Sequence, residues 1–347
     1  MKTLYLHIGW RKTGTSAIQS FLTTNVADHM VGDVCVIPVG QKEQGYVVGG
    51  KPLAHHRLGK FSAGAAWHAA WDDVADFVSG SSAHKFLITT EIIPGQITKH
   101  PAFLEHLPSK LAIFDRVVLS FWVRRQDEYI NSLYVQAAKH GKNGGEEGDL
   151  AGEFGDADYY ALLDALERAI PGLEFRPHFY GGMGTDVVGG IISDLELDAS
   201  DLDLTVRPLL NARVSPEMYR AQIEVNRRAS EAGLKPGRLQ SALLAAYENT
   251  SAAQRGHAAI PLSIQDRVEI LDRHAASNRM LCAKFDFSPA LFEFAETQRL
   301  PSLDYNIPRR ISSEFFNEMK DALRVGPPEA PRDTMDFLVN VLQRISA

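Results

Sequence analysis

Leu6-His7-Ile8-Gly9-Trp10-Arg11-Lys12-Thr13-Gly14-Thr15-Ser16 is the stretch whose reading decides the fold. Up to Gly9, the run Thr3-Leu4-Tyr5-Leu6-His7-Ile8 is short and mostly apolar, as a buried parallel strand is. Beyond Ser16, the residues Ile18, Phe21 and Leu22 recur at helical spacing. The order is strand, glycine-bearing loop, helix. Backbone N–H groups of such a loop, at a helix N-terminus, form a nest for an anion. Lys12 adds a point charge, and Thr13, Thr15 and Ser16 add hydroxyls. The plain alternative is a glycine turn with an incidental exposed lysine.

The same alternation continues outward. Val34-Cys35-Val36-Ile37 reads as a weak strand, and residues 40–62, rich in Gly and His, as a loop. Ala63 to Val78 reads as a helix. Lys85 to Thr90 is a strand that ends at Glu91. Arg116 to Val123 is the strongest strand in the chain and ends at Arg124-Arg125. A helix follows, with Ile130, Leu133, Tyr134 and Ala137 on one face. Gly141 to Gly155 is a glycine-rich, acidic surface loop. Tyr159 to Ile170 reads as a helix and Leu173 to Tyr180 as a strand, where Pro177 requires an edge position or an early stop. From Ser215 the chain is mostly helical. Ser215-Pro216 is a start signal, and Ser263-Ile264-Gln265-Asp266 is a weaker one. Ile264, Val268, Leu271 and Ala275 form a packing stripe. A helix after Pro327 offers a surface for a homodimer.

This pattern predicts an α/β fold: a three-layer parallel sheet wrapped by helices, with a helical C-terminal third. It is read as a single domain over 1–347, with an α/β core to residue 200 and a mostly helical part over 201–347. Ligands in such sheets bind at the carboxyl ends of the strands. The residues that matter are therefore those just after each strand.

Bulk properties narrow the function. The net charge of −7 over 347 residues gives no global footprint for nucleic acid, so an anion site must be local. Cys35 and Cys282 stand far apart in apolar surroundings and read as buried thiols, with no spacing that suggests zinc. No apolar run approaches the roughly 20 residues of a membrane span. The first residues lack a basic n-region, so a cytoplasmic protein is expected.

The loop nearly fits the nucleotide-triphosphate pattern GxxxxGK[ST]. Gly9, Gly14 and Ser16 keep their places, but Thr15 stands where the lysine belongs and Lys12 lies three positions earlier. Lys12-Thr13-Gly14-Thr15-Ser16 after a strand resembles the 5′-phosphosulfate-binding loop of the sulfotransferases that use 3′-phosphoadenosine 5′-phosphosulfate (PAPS). The longer string from Leu6 to Ser16 resembles the bacterial branch of that family. The resemblance covers the N-terminal half.

The resemblance implies a P-loop NTPase-like fold, PAPS as co-substrate and no metal. It places Arg11, Lys12, Thr13, Gly14, Thr15 and Ser16 at the phosphosulfate, with Lys12 at the bridging oxygen. The family's 3′-phosphate pattern, an arginine at a strand end and a serine eight residues on, falls on Arg124 and Ser132, or on Arg125 if the register is off by one. Its bland counterpart is a surface arginine paired with Asp127 or Glu128. Where the cytosolic branch has Lys-Thr-His, with the histidine as base, this chain has Thr89-Thr90-Glu91, which puts Glu91 in the base position. His56 and its neighbour His55 compete for that role, and His7 reads as a core residue that positions the loop. The family's glycine-rich 3′-phosphate signature is absent, leaving Arg207 or Arg213 as substitute cations. The acceptor would be a hydroxyl or amine of a glycan, lipid or small metabolite, recognised by loops 40–62 and 141–157. Glu146, Glu147 and Asp149 would disfavour a polyanion there. Two other readings stay open: a Mg²⁺-dependent P-loop kinase or triphosphatase, against which Thr15 argues, and a non-catalytic nucleotide-binding protein.

Overall fold

A six-stranded sheet runs in the order β2-β3-β4-β1-β5-β6 in the computed structural model. The strands are β1 (Thr3–Ile8), β2 (Met30–Val31), β3 (Val34–Val36), β4 (Lys85–Thr90), β5 (Arg116–Val123) and β6 (Glu174–Phe179). Only the short β2 pairs antiparallel. The structure describes residues 1–39, 54–61, 64–141, 157–181, 185–204, 214–251, 253, 258–294, 306–325 and 332–346. The helices described are α1 (Thr15–Asn25), α2 (His56–Gly59), α3 (Ala65–Gly80), α4 (Ile93–Lys99), α5 (Phe103–Leu111), α6 (Gln126–Lys139) and α7 (Tyr159–Ala169). They continue with α8 (Val187–Asp194), α9 (Pro216–Glu231), α10 (Pro236–Glu248), α11 (Ile264–Phe285), α12 (Ser313–Val325) and α13 (Arg332–Ser346). None is long and apolar enough to cross a membrane.

The chain divides into two compact units that interleave in sequence. The first holds Met1–Gln126, Gly155–Leu209 and His274–Phe292. The second holds Asp127–Phe154, Leu210–Arg273 and Glu293–Ala347.

The first unit contains the whole sheet. Strand β1 is buried at every position because it is central, between β4 and β5. Pleating sends its residues to alternate faces. Tyr5, with Leu87, Val118 and Trp122, faces Ile18, Phe21 and Leu22 of α1 and Val187 and Ile191 of α8. On the opposite face, Phe121 meets Trp10, Phe175 and Phe285 edge-on, and Trp10 meets Tyr159 of α7. Helices thus cover both faces, as the strand–helix alternation predicts. Pro177 costs no ladder bond, because β6 is an edge strand paired only with β5.

The connections part at the centre of the sheet. After β1 the chain leaves toward β3; after β5 it leaves toward β6. Those neighbouring carboxyl ends are where ligands of such sheets bind.

The second unit is helical. Met218, Val225, Leu243, Met319, Leu338 and Leu342 form its core. Ser215 caps α9 by accepting from the Met218 N–H at 3.1 Å. Ser263 and Asp266 exchange side-chain and backbone bonds at the start of α11, a capping box with Asp in place of Glu. The helix expected after Pro327 is α13, and its Leu338, Val341, Leu342 and Ile345 are buried within the unit. Asp127 is fully buried and takes two bonds from Arg267, at 2.8 and 2.7 Å. Both cysteines are free and buried, as expected.

Candidate functional site

Three predicted strand ends become neighbours in this sheet. Because β4 and β5 flank β1, the Glu91, Lys12 and Arg124 ends lie side by side.

The loop after β1 is built by local constraints. Thr13 is buried and its hydroxyl donates to the Trp10 carbonyl at 2.5 Å, folding the loop on itself. Its side chain is therefore engaged within the loop, and its backbone N–H is what it can offer an anion. Lys12 has φ 67° and Gly14 has φ 87°, both left-handed. Gly14 is the N-cap of α1 and supplies no side-chain cap, and the first turn holds no acidic residue. The leading N–H groups of α1 are left to a ligand or to water. Gly14 also packs closely: a methyl there would come within 2.8 Å of Val187 Cγ1.

The charged groups act on one another. Burial pushes the Lys12 ammonium below its ordinary value; the Glu91 carboxylate opposes this shift and the Arg124 guanidinium adds to it. Arg124 Nη1 donates to the Lys12 carbonyl oxygen at 3.4 Å, and its guanidinium lies 5.5 Å from the centre of the Tyr180 ring. Of the two candidate arginines, Arg124 contacts the loop and is half-exposed, and Arg125 is buried. Arg11 and Ser16 are partly exposed on the loop and first turn. Ser132 lies on α6, in the second unit.

The two adjacent histidines differ. His55 is fully buried, not part of an open loop as its composition suggests. Its Nδ1 accepts from the Thr89 N–H at 3.0 Å, which fixes the tautomer, so Nε2–H donates to the Ile37 carbonyl at 2.6 Å. His55 thereby ties the residue after β3 to β4, and burial drives its pKa to about 4. This anchor starts the short helix α2 within the stretch predicted to be loop. His56 is the first residue of α2 and is partly exposed. The same helix packs beside the end of β4, where a methyl on Gly59 would lie 3.2 Å from Thr90 Oγ1. Trp67 and Trp71 of α3 both donate to the Leu58 carbonyl, at 2.7 and 3.0 Å, and hold α2 there.

A polar cluster lies on the α8 face of the sheet. Asp194 is buried and accepts from Ser120 Oγ at 2.6 Å and from His178 Nε2 at 2.8 Å. His178 stacks on Trp122 at 4.2 Å, and Trp122 meets His7 edge-on at 5.3 Å. Asp194 carried no signal in sequence, since its partners are 74 and 16 residues away. Residues 40–53, 62 and 142–156 of the expected acceptor loops, with Glu146, Glu147 and Asp149, lie outside the described residues, as do Arg207 and Arg213.

Comparison of the chain with protein-family models, with curated proteins and with solved structures returns no match.

Proposed function

We propose that this chain is a PAPS-dependent sulfotransferase acting on a hydroxyl or amine of a glycan, lipid or small metabolite. The observation that carries the reading is the contact of Arg124 with the Lys12 carbonyl, with the Glu91 charge also acting on Lys12. Two cations and one carboxylate meet at adjacent strand ends beside an uncapped helix N-terminus. The residues fit an anionic nucleotide. Gly14 is left-handed, and the Thr15 hydroxyl is buried without a hydrogen-bond partner among the described residues.

The nucleotide would supply the sulfuryl group and leave as the bisphosphate. The acceptor oxygen or nitrogen forms a bond to sulfur as the bond from sulfur to the bridging phosphate oxygen breaks. Lys12 stabilises the charge that grows on that oxygen. Glu91 takes the acceptor proton, with His56 on α2 as the other candidate base. Arg124 presents a planar fork suited to a phosphate. The strand order, with β1 between β4 and β5 and parting connections on either side, supports a P-loop-like arrangement of these strand ends.

The test is thermal stabilisation by 3′-phosphoadenosine 5′-phosphate, the bisphosphate product, beside ATP with Mg²⁺. A rise with the bisphosphate that Lys12→Ala removes supports the reading. A rise only with ATP and Mg²⁺ overturns it in favour of a kinase or triphosphatase.

A further inference from the structure

Two buried polar atoms beside the loop have no hydrogen-bond partner among the described residues: Nε2 of His7 and Oγ1 of Thr15. Their residues are 1% and 2% exposed. A buried donor or acceptor left without a partner is costly. Two of them at one place point to a partner that arrives with the ligand. The atoms converge on Gly9: a methyl there would collide with Thr15 Oγ1 and lie 3.3 Å from His7 Nε2.

The other edge of the imidazole is held. Its Nδ1 lies 2.7 Å from Thr89 Oγ1. The backbone of Thr89 is itself fixed by His55, through the Thr89 N–H at 3.0 Å and the Thr89 carbonyl at 2.7 Å. Trp122 walls the ring on one side. Burial keeps His7 neutral, with its pKa pushed down to about 3, so the ring carries one proton. That proton is on Nε2 if the Thr89 hydroxyl donates to Nδ1, and on Nδ1 if it accepts.

We propose that His7 is a positioning residue for the anion loop: Thr89 O–H donates to His7 Nδ1, His7 Nε2–H donates to Thr15 Oγ1, and the Thr15 O–H is thereby aimed at an oxygen of the bound anion. All three donors then point the same way, and each bond polarises the next. No proton is transferred. Thr15 completes the link by a change of χ1, which threonine in a helix can make between two rotamers. The opposite tautomer would turn the Thr15 proton toward His7 and away from the ligand. The inference rests on the loop binding an anion, but not on which anion.

The experiment has two arms. In the first, a long-range ¹H–¹⁵N spectrum of the wild-type protein identifies the His7 tautomer. The Nε2–H form, with a signal that shifts when anion binds, is expected; the Nδ1–H form overturns the proposal. In the second, affinities for the bisphosphate, for ATP and for pyrophosphate are measured for His7→Phe, Thr15→Val, the double variant and His7→Gln. His7→Phe and Thr15→Val should each weaken binding about tenfold, the double variant no more than either, and His7→Gln, which keeps a donor near Nε2, much less. Additive losses, or equal losses for Gln and Phe, overturn it. A protein that binds ATP but not the bisphosphate sinks the sulfotransferase reading while the cycle proceeds with ATP. A protein that binds none of the three overturns both.

Discussion

Arg124 Nη1 donates to the carbonyl oxygen of Lys12 at 3.4 Å, so a residue at the end of β5 holds the backbone of the loop after β1. A lysine at 124 would keep the charge but lose this geometry. Arg124→Lys is therefore expected to weaken bisphosphate binding about tenfold, and Arg124→Ala between about tenfold and a hundredfold. Calorimetric titration checks both. Equal affinities for wild type and Arg124→Ala would remove Arg124 from the site.

Gly14 is left-handed at φ 87° and packs against Val187 and Tyr180. A β-carbon here adds backbone strain of about 1–2 kcal/mol and a clash on top of it. Gly14→Ala should lower the unfolding free energy read from urea denaturation by at least that amount and also weaken anion binding, because the nest loses its shape. Loss of stability with intact binding would mean that the loop geometry at Gly14 serves packing alone.

Much of this was legible in the sequence because it is local. The apolar runs of β4 and β5 end at Thr90 and Val123, where the sequence reading puts them. The Ser215-Pro216 start depends on neighbours in the chain and holds as well. What was not legible depends on strand order. No spacing tells that β4 and β5 both flank β1, and only that order brings Glu91, Lys12 and Arg124 to neighbouring strand ends. His55 shows the same limit. In sequence it is one of two histidines in a polar stretch, and burial against Ile37 and Thr89 makes it a structural tie. Asp194 likewise becomes informative only when β5, β6 and α8 place Ser120 and His178 on it.

His7 and His55 predict a loss of stability in acid. Desolvation holds their folded-state pKa values near 3 and 4, below the ordinary value of 6.5. Between those values the unfolded chain binds protons that the folded chain refuses, so stability falls as pH drops below 6.5 and levels off near 4 and 3. Each proton contributes up to about 1.4 kcal/mol per pH unit, and half of that at pH 6.5 itself, so these two residues cost about 3 kcal/mol between pH 6.5 and pH 5. Urea unfolding at stepped pH measures it. His55→Gln should be less stable at pH 7 but show a shallower slope. An unchanged slope would mean that His55 takes up its proton in the folded chain as readily as in the unfolded one.

Lys12 should set stability against function. Burial lowers its pKa from the ordinary lysine value, with Glu91 pulling the other way and Arg124 reinforcing the shift. Below the lowered folded value both folded and unfolded chains hold the proton, and the desolvation cost is fully present. Between the lowered folded value and the ordinary one, the unfolded chain holds a proton that the folded chain has lost, so this contribution to stability rises with pH. Lys12→Met, similar in length and uncharged, should be at least as stable as wild type at neutral pH, with the difference shrinking as pH approaches the ordinary lysine value. It should bind the bisphosphate roughly a hundredfold more weakly. An anion in the loop restores an opposing charge and raises the Lys12 pKa, so alkaline binding should take up protons. Titration in buffers of different ionisation enthalpy reads that uptake, which Lys12→Met should abolish. Uptake that survives the substitution would assign the proton to another group and remove Lys12 from contact with the anion.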